Sequence, residues 1–236
     1  MLLLQARLPN DPIRDHEHKC FVASTGLLPE DVVPHDLTQG PPSITRLKSF
    51  DMLSAGGSAD FYVSKGDLPQ FDAYLDFLRE VVALGHPTFA SCFGYQSIAR
   101  ALGADVIRDT PNAETGTFEL TLTEAGLADS LFKTLPARFP AQLGHKERAT
   151  AVAAGTINLA GSDRSPLQAL RIPDKPIWAS QFHPEMNRDT NLERFRRYLA
   201  DYGPSDPKER EAAFEGFHNS PDASSLLRRF LSLVFG

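Results

Sequence analysis

The sequence predicts an α/β fold, a mostly parallel central sheet flanked by helices, and three observations carry that prediction. Short apolar runs of strand length recur along the chain, beginning with Leu2 to Leu8, which suits strands covered on both faces. Between them lie stretches of helical periodicity, clearest from Leu68 to Leu84, where Phe71, Tyr74, Leu75, Leu78, Val81 and Val82 fall on one stripe. The third is Pro87 to Gly103, PTFASCFGYQSIARALG, which reads as strand, sharp turn and helix. This is the layout of a nucleophile elbow, with Cys92 on the turn, small Ala90, Ser91 and Gly94 around it, and Gly103 closing the helix.

Composition sets the outer bounds. The 236 residues are 42% hydrophobic and 23% charged with a net charge of -6, an ordinary globular balance with nothing that favours nucleic acid. The basic clusters RFRRY around Arg196 and LLRRF around Arg228 alternate with apolar residues and read as solvated helix faces. No stretch reaches membrane-spanning length, and the N-terminal MLLLQARL lacks the features of a signal peptide, so a cytoplasmic location is expected. Two cysteines, Cys20 and Cys92, cannot build a disulfide framework, which fits a reducing compartment.

In chain order, Leu2 to Leu8 is the first strand. The crowd of Asp15, His16, Glu17, His18 and Cys20 matches no closed zinc spacing, so no metal site is expected and the run reads as a solvated loop or exposed helix start. A connecting region rich in proline follows, with Val32 and Val33 as a short second strand. Phe50 to Leu53 reads as a third strand running into Gly56 and Gly57, a glycine pair able to turn backbone N–H groups into a pocket as an oxyanion hole does. After the elbow helix, Asp105 to Leu122 suggests strands at the sheet margin and Leu127 to Leu135 a short helix. Ile157 to Gly161 and Leu167 to Ile172 form a pair of strands that lead into Ile177 to Phe182. That last strand delivers His183, Pro184 and Glu185, so that Glu185 can orient one ring nitrogen of His183 while the other faces Cys92. At a helix N-terminus the Cys92 thiolate is expected to be favoured and its side chain exposed. Leu192 to Tyr202 is an amphipathic helix, Pro204 to Pro207 a break, and Glu209 to Phe235 a helical segment packing on the domain or on a second copy of the chain as a homodimer. The expected division is a domain over residues 1–200 and a C-terminal helical extension over 201–236.

SCFGYQ followed much later by QFHPE resembles the class I glutamine amidotransferases, whose pattern is roughly GxCxGxQ and then HPE, and the likeness extends over about the first two hundred residues. It is similar in particular to the glutaminase domains of GMP synthases, and stand-alone members without a synthase domain exist. The resemblance implies the family's flavodoxin-like fold, no cofactor, and hydrolysis of the glutamine side-chain amide through a γ-glutamyl thioester on Cys92, with His183 and Glu185 completing a triad. It further implies an oxyanion hole from the backbone amides of Gly57 and Phe93, and substrate contacts at Gly56, Gln96 and His145. Departures are Ser58 where the family usually has proline, Tyr95 where several members have histidine, and Gly144 and Glu147 in place of the serine and aspartate of an SHxD segment.

Gln96 leans toward glutamine as substrate, since γ-glutamyl hydrolases of this scaffold tend to carry glutamate there. The alternatives are a γ-glutamyl peptide hydrolase and, third, a non-catalytic regulatory module. The chain contains no GxxxxGK loop to activate an acceptor with ATP, so ammonia is expected either to be released or to pass to a synthase partner.

Overall fold

The computed structural model describes residues 1–203 and 206–236, side chains at 201, 202 and 207 excepted. In chain order its elements are β1 (Leu2–Gln5), α1 (Ile13–Thr25), β2 (Val33–Asp36), α2 (Ile44–Leu47), β3 (Leu53–Ala55), α3 (Phe71–Leu84), β4 (Thr88–Ser91), α4 (Phe93–Ala101), β5 (Val106–Arg108), β6 (Glu114–Leu122) and α5 (Glu124–Ala128). They continue with β7 (Arg138–His145), β8 (Glu147–Ala149), β9 (Ile157–Gly161), β10 (Ala169–Ile172), β11 (Ile177–Ser180), α6 (Arg188–Arg197), α7 (Leu199–Tyr202), α8 (Pro207–Glu215), α9 (Pro221–Ser224) and α10 (Leu226–Phe235).

The main sheet runs β2-β1-β3-β4-β11-β10-β9-β6-β7, and β5 pairs with β8 apart from it. Strands β2, β1, β3, β4 and β11 are mutually parallel, and β10, β9, β6 and β7 extend the sheet as an antiparallel wing. The parallel strands β1, β3, β4 and β11 are buried along their whole length. Period-2 alternation then splits their side chains between two cores. Leu2 and Leu4 face Tyr74, Leu78 and Ile98 on one side, whereas Leu3 joins Phe89, Trp178, Phe182 and Phe230 on the other. The C-terminal helix closes the second face, its Phe230 ring standing edge-on to Phe89 at 5.8 Å and to Trp178 at 5.7 Å.

This order lines up the carboxyl ends of four adjacent parallel strands, the place where open α/β sheets bind ligands. Arg7 follows β1, Gly57 follows β3, Cys92 follows β4 and His183 follows β11. Ala55 pairs with Ala90, and Ser91 with Ser180, so the three site-bearing turns start level with one another.

Several expectations are corrected. The third strand is Leu53–Ala55, later than Phe50 to Leu53, because Leu2 bonds Met52 O and Leu53 bonds Pro87 O to set the register. The helix expected over Leu127 to Leu135 is two pieces, α5 and a 3-10 turn at Phe132–Thr134, split where the Asp129 carboxylate accepts from the Leu131 and Phe132 amides. The break expected from Pro204 to Pro207 spans positions 204 and 205, which lie outside the described residues. Among the described residues no helix is long and apolar enough to cross a membrane. The polar run at Asp15 to Cys20 is part of α1, and Glu17 and Cys20 point inward, fully buried. A carboxylate can be buried there because Arg7, from a different element, meets it at 2.8 Å. Likewise Arg194 of the RFRRY cluster is buried instead of solvated.

Candidate active site

The elbow is built as its residue sizes require. Cys92 sits at φ 50°, ψ −104°, a conformation that costs a side-chain-bearing residue roughly 1–3 kcal/mol. Backbone bonds hold it there: Cys92 N donates to Ser180 O at 2.8 Å, and Gln96 N to Cys92 O at 2.9 Å. Gly94 N donates to Gly56 O at 3.2 Å, which draws the first turn of α4 onto the glycine pair. A methyl group on Gly94 would lie 2.7 Å from the Ala55 side chain, so only glycine fits this approach.

His183 is placed by its own N–H, which donates to Gln142 O at 2.8 Å, and by its Nδ1, 2.6 Å from Glu185 Oε1. With Nδ1–H given to the carboxylate, Nε2 is left as the acceptor. Gly57 locates the ring relative to the cysteine: a methyl group on it would lie 3.7 Å from both Cys92 Cβ and His183 Nε2. Sulfur-bearing carbon and imidazole therefore flank one glycine.

Electrostatics differ from the sequence expectation. Cys92 is 4% exposed, and burial, with the Glu185 charge adding to it, pushes the thiol up to about 12; Arg194, Arg7 and the Phe93 amide oppose this without reversing it. The helix N-terminus is present, but desolvation outweighs it. Burial also lowers His183 below its ordinary value against the pull of Glu185. For Glu185 itself burial works upward, yet the His183 ring and the Arg194 guanidinium outweigh it and hold the carboxyl below its usual range. The resting arrangement is thus a neutral thiol, a neutral imidazole and a carboxylate.

The other expected residues are placed as follows. The Phe93 amide faces the sulfur. Gly56 lies against α1, where a methyl group would come 2.5 Å from Glu17 Oε1. Gln96 is buried under the site, its Nε2 donating to Glu147 O at 2.9 Å and Gln181 Oε1 at 3.0 Å. His145 is buried with both ring nitrogens engaged, at 2.9 Å from Glu147 O and from Glu114 Oε2. Glu147 accepts from the Val63 amide at 2.9 Å and from Ser64, tying down the loop that follows the glycine pair.

A cleft opens beside His183 and Gly57. It is lined by the stripe Asn191, Arg194, Phe195 and Tyr198 and by Arg7. Neither Arg7 nor Arg194 stands out in the sequence, although the spacing of 191, 194, 195 and 198 is that of one helix face and was the available signal.

In sequence and fold the chain is similar to known proteins. Residues 63–197 match the family model described as glutamine amidotransferase class-I, a span that includes Cys92, His183 and Glu185. GMP synthase [glutamine-hydrolyzing] of Mycobacterium leprae is 30% identical over 177 residues, 75% of this chain and 31% of that protein. A GMP synthase [glutamine-hydrolyzing] subunit from Methanocaldococcus jannaschii is 37% identical over 100 residues, 42% of this chain and 51% of that one. The chain thus spans about a third of the length of the full-length synthases it matches. Among solved structures, a glutamine amidotransferase from Methylobacillus flagellatus superimposes with a TM-score of 0.72 at 18% identity, covering 98% of this chain and 94% of that one. One from Thermotoga maritima gives 0.70 at 17% identity, covering 100% and 98%. On the strength of the matched span and of these relatives, the chain belongs to the class I glutamine amidotransferase family.

Proposed function

We propose that the chain hydrolyses the side-chain amide of glutamine through a γ-glutamyl thioester on Cys92. The observation that carries this reading is the grouping of Cys92 and His183 around Gly57 with Glu185 2.6 Å behind the imidazole. His183 Nε2 takes the thiol proton as sulfur attacks the γ-carbonyl carbon. Imidazolium forms beside the Glu185 carboxylate, which stabilises it, and the carbonyl oxygen draws on the amides of Gly57 and Phe93. The C–N bond breaks, the nitrogen leaves as ammonia with the proton from His183, and the thioester remains. Water then gives a proton to His183 and its oxygen to the acyl carbon, releasing glutamate and restoring the thiol.

Ammonia is released or passed to a synthase partner; support for a partner comes from relatives that are named GMP synthases. The two cysteines are unbonded thiols, in keeping with a reducing, cytoplasmic setting. The test is glutamate release from glutamine by the purified protein, with capture of a γ-glutamyl adduct on the Cys92 peptide by mass spectrometry. Absence of both in the protein alone and with cell extract would overturn the reading. A second reading, hydrolysis of γ-glutamyl peptides, is favoured by one feature, the buried Arg194 with unpartnered N–H groups in the cleft beside His183.

A further inference from the structure

The donors left unused by Arg194 give that cleft a chemistry of its own. We propose that it is a carboxylate subsite for the leaving group of the scissile amide, with Arg194 as the recognising residue and Arg7 behind it, so that γ-glutamyl amino acids and peptides with a free carboxylate on the leaving end are substrates. The inference rests on the reading of Cys92 and His183 as nucleophile and base.

Arg194 has a side chain only 9% exposed, and among the described residues its one ion-pair contact is Nη1 to Glu185 Oε1 at 3.8 Å, too long for a hydrogen bond. Glu185 already accepts from His183 through that same oxygen. Nε and Nη2 of Arg194 have no hydrogen-bond partner among the described residues. These two N–H groups form one edge of the guanidinium, the fork that matches the two oxygens of a carboxylate. A buried charged donor pair without a partner is costly, and a ligand that supplies the acceptors recovers the loss.

Arg7 also lines the cleft but has its charge already met by Glu17, so the fork of Arg194 is the recognising group. It is 1% exposed and is held by Glu17 at 2.8 Å and the Tyr198 hydroxyl at 3.1 Å, with Asp11 at 3.7 Å. Among the described residues lining the cleft are both arginines and no carboxylate, while Glu17 and Glu185 stand against the two guanidiniums from outside it. The unpaired fork of Arg194 is what makes an anion the favoured ligand.

Direction follows from the chemistry. His183 hands its proton to the departing nitrogen, so the leaving group lies on the imidazole side, and His183 and Arg194 both line the cleft. Of the groups on the acyl side, Gly57 lines it, whereas Cys92, Phe93 and Gln96 do not. Ammonia leaves the Arg194 fork empty; an amine that carries a carboxylate fills it.

Two substrates isolate the contact, γ-glutamylglycine and γ-glutamylethylamide, which share the γ-glutamyl group and differ in a carboxylate against a methyl on the leaving amine. Wild type should favour γ-glutamylglycine in kcat/KM by about tenfold or more, and Arg194→Met should bring the ratio to about one, with Arg194→Lys between them. The ratio is internal to each protein and so is unaffected by lost folding. No preference in wild type would overturn the subsite. Equal losses on both substrates in Arg194→Met would also overturn it, since Arg194 would then serve a group common to both. If no substrate turns over, the catalytic reading has failed, and calorimetric titration of Cys92→Ala protein decides the subsite by itself. Tighter binding of γ-glutamylglycine, abolished by Arg194→Met, supports it, and equal binding of the two compounds overturns it.

Discussion

Gly57 lies against the edge of the His183 ring, so that a methyl group on it would come within 2.8 Å of His183 Cε1. No side chain sits that close without something moving, and the movable group is the imidazole. Gly57→Ala should therefore lower kcat by about a hundredfold through misplacement of the base, while the melting temperature changes little. Turnover and a thermal melt on the same preparation check this. Retained turnover would mean that His183 is not the base in this position.

The short contact between His183 Nδ1 and Glu185 predicts a graded series. Glu185→Gln removes the charge that stabilises imidazolium and should reduce kcat by about a hundredfold or more. Glu185→Asp keeps the charge at a longer reach and should be milder. Equal, small effects in steady-state assays would leave Glu185 a structural contact only.

For Cys92 the raised thiol value fixes the sign of a pH profile. With the group at about 12, the resting site holds thiol throughout the neutral range. The rate of alkylation by iodoacetamide should rise about tenfold per pH unit between about pH 6 and 9, without a plateau. Mass spectrometry of the Cys92 peptide separates it from Cys20, whose thiol burial pushes up to about 11. A plateau below neutrality would show a thiolate already formed in the resting protein.

The Arg7 and Glu17 pair predicts a stability effect away from the chemistry. Both side chains are at most 1% exposed and meet at 2.8 Å. Glu17→Gln leaves a buried guanidinium without its counter-charge and should cost about 3–5 kcal/mol in urea denaturation. A loss below about 1 kcal/mol would show that Asp11 or solvent neutralises Arg7 instead.

Local signals carried the elbow, the glycine pair and the HPE turn, because each is decided within a few residues: small neighbours at Cys92, adjacent glycines, a proline between base and carboxylate. What stayed hidden depends on partners far along the chain. Arg7 meets Tyr198 across 191 positions, and Glu17 reads as solvated until β1 brings Arg7 over it. Arg194 looks like one of three surface arginines until α6 is laid across the site. The Cys92 thiol illustrates the same limit, since spacing reveals the helix N-terminus above it but not the depth of its burial.

The strand order also dictates how the molecule assembles. Strand β11, the last of the sheet in sequence, lies in its middle, hydrogen-bonded to β4 on one side and β10 on the other. Until residues 177–180 insert, the N-terminal parallel strands and the antiparallel wing are two half-sheets with open edges that face each other. Contacts of such long sequence separation form late and make folding slow. The chain emerging from the ribosome accordingly holds an unpaired β4 edge and an elbow without its base, and both are completed in a single step by the closing strand.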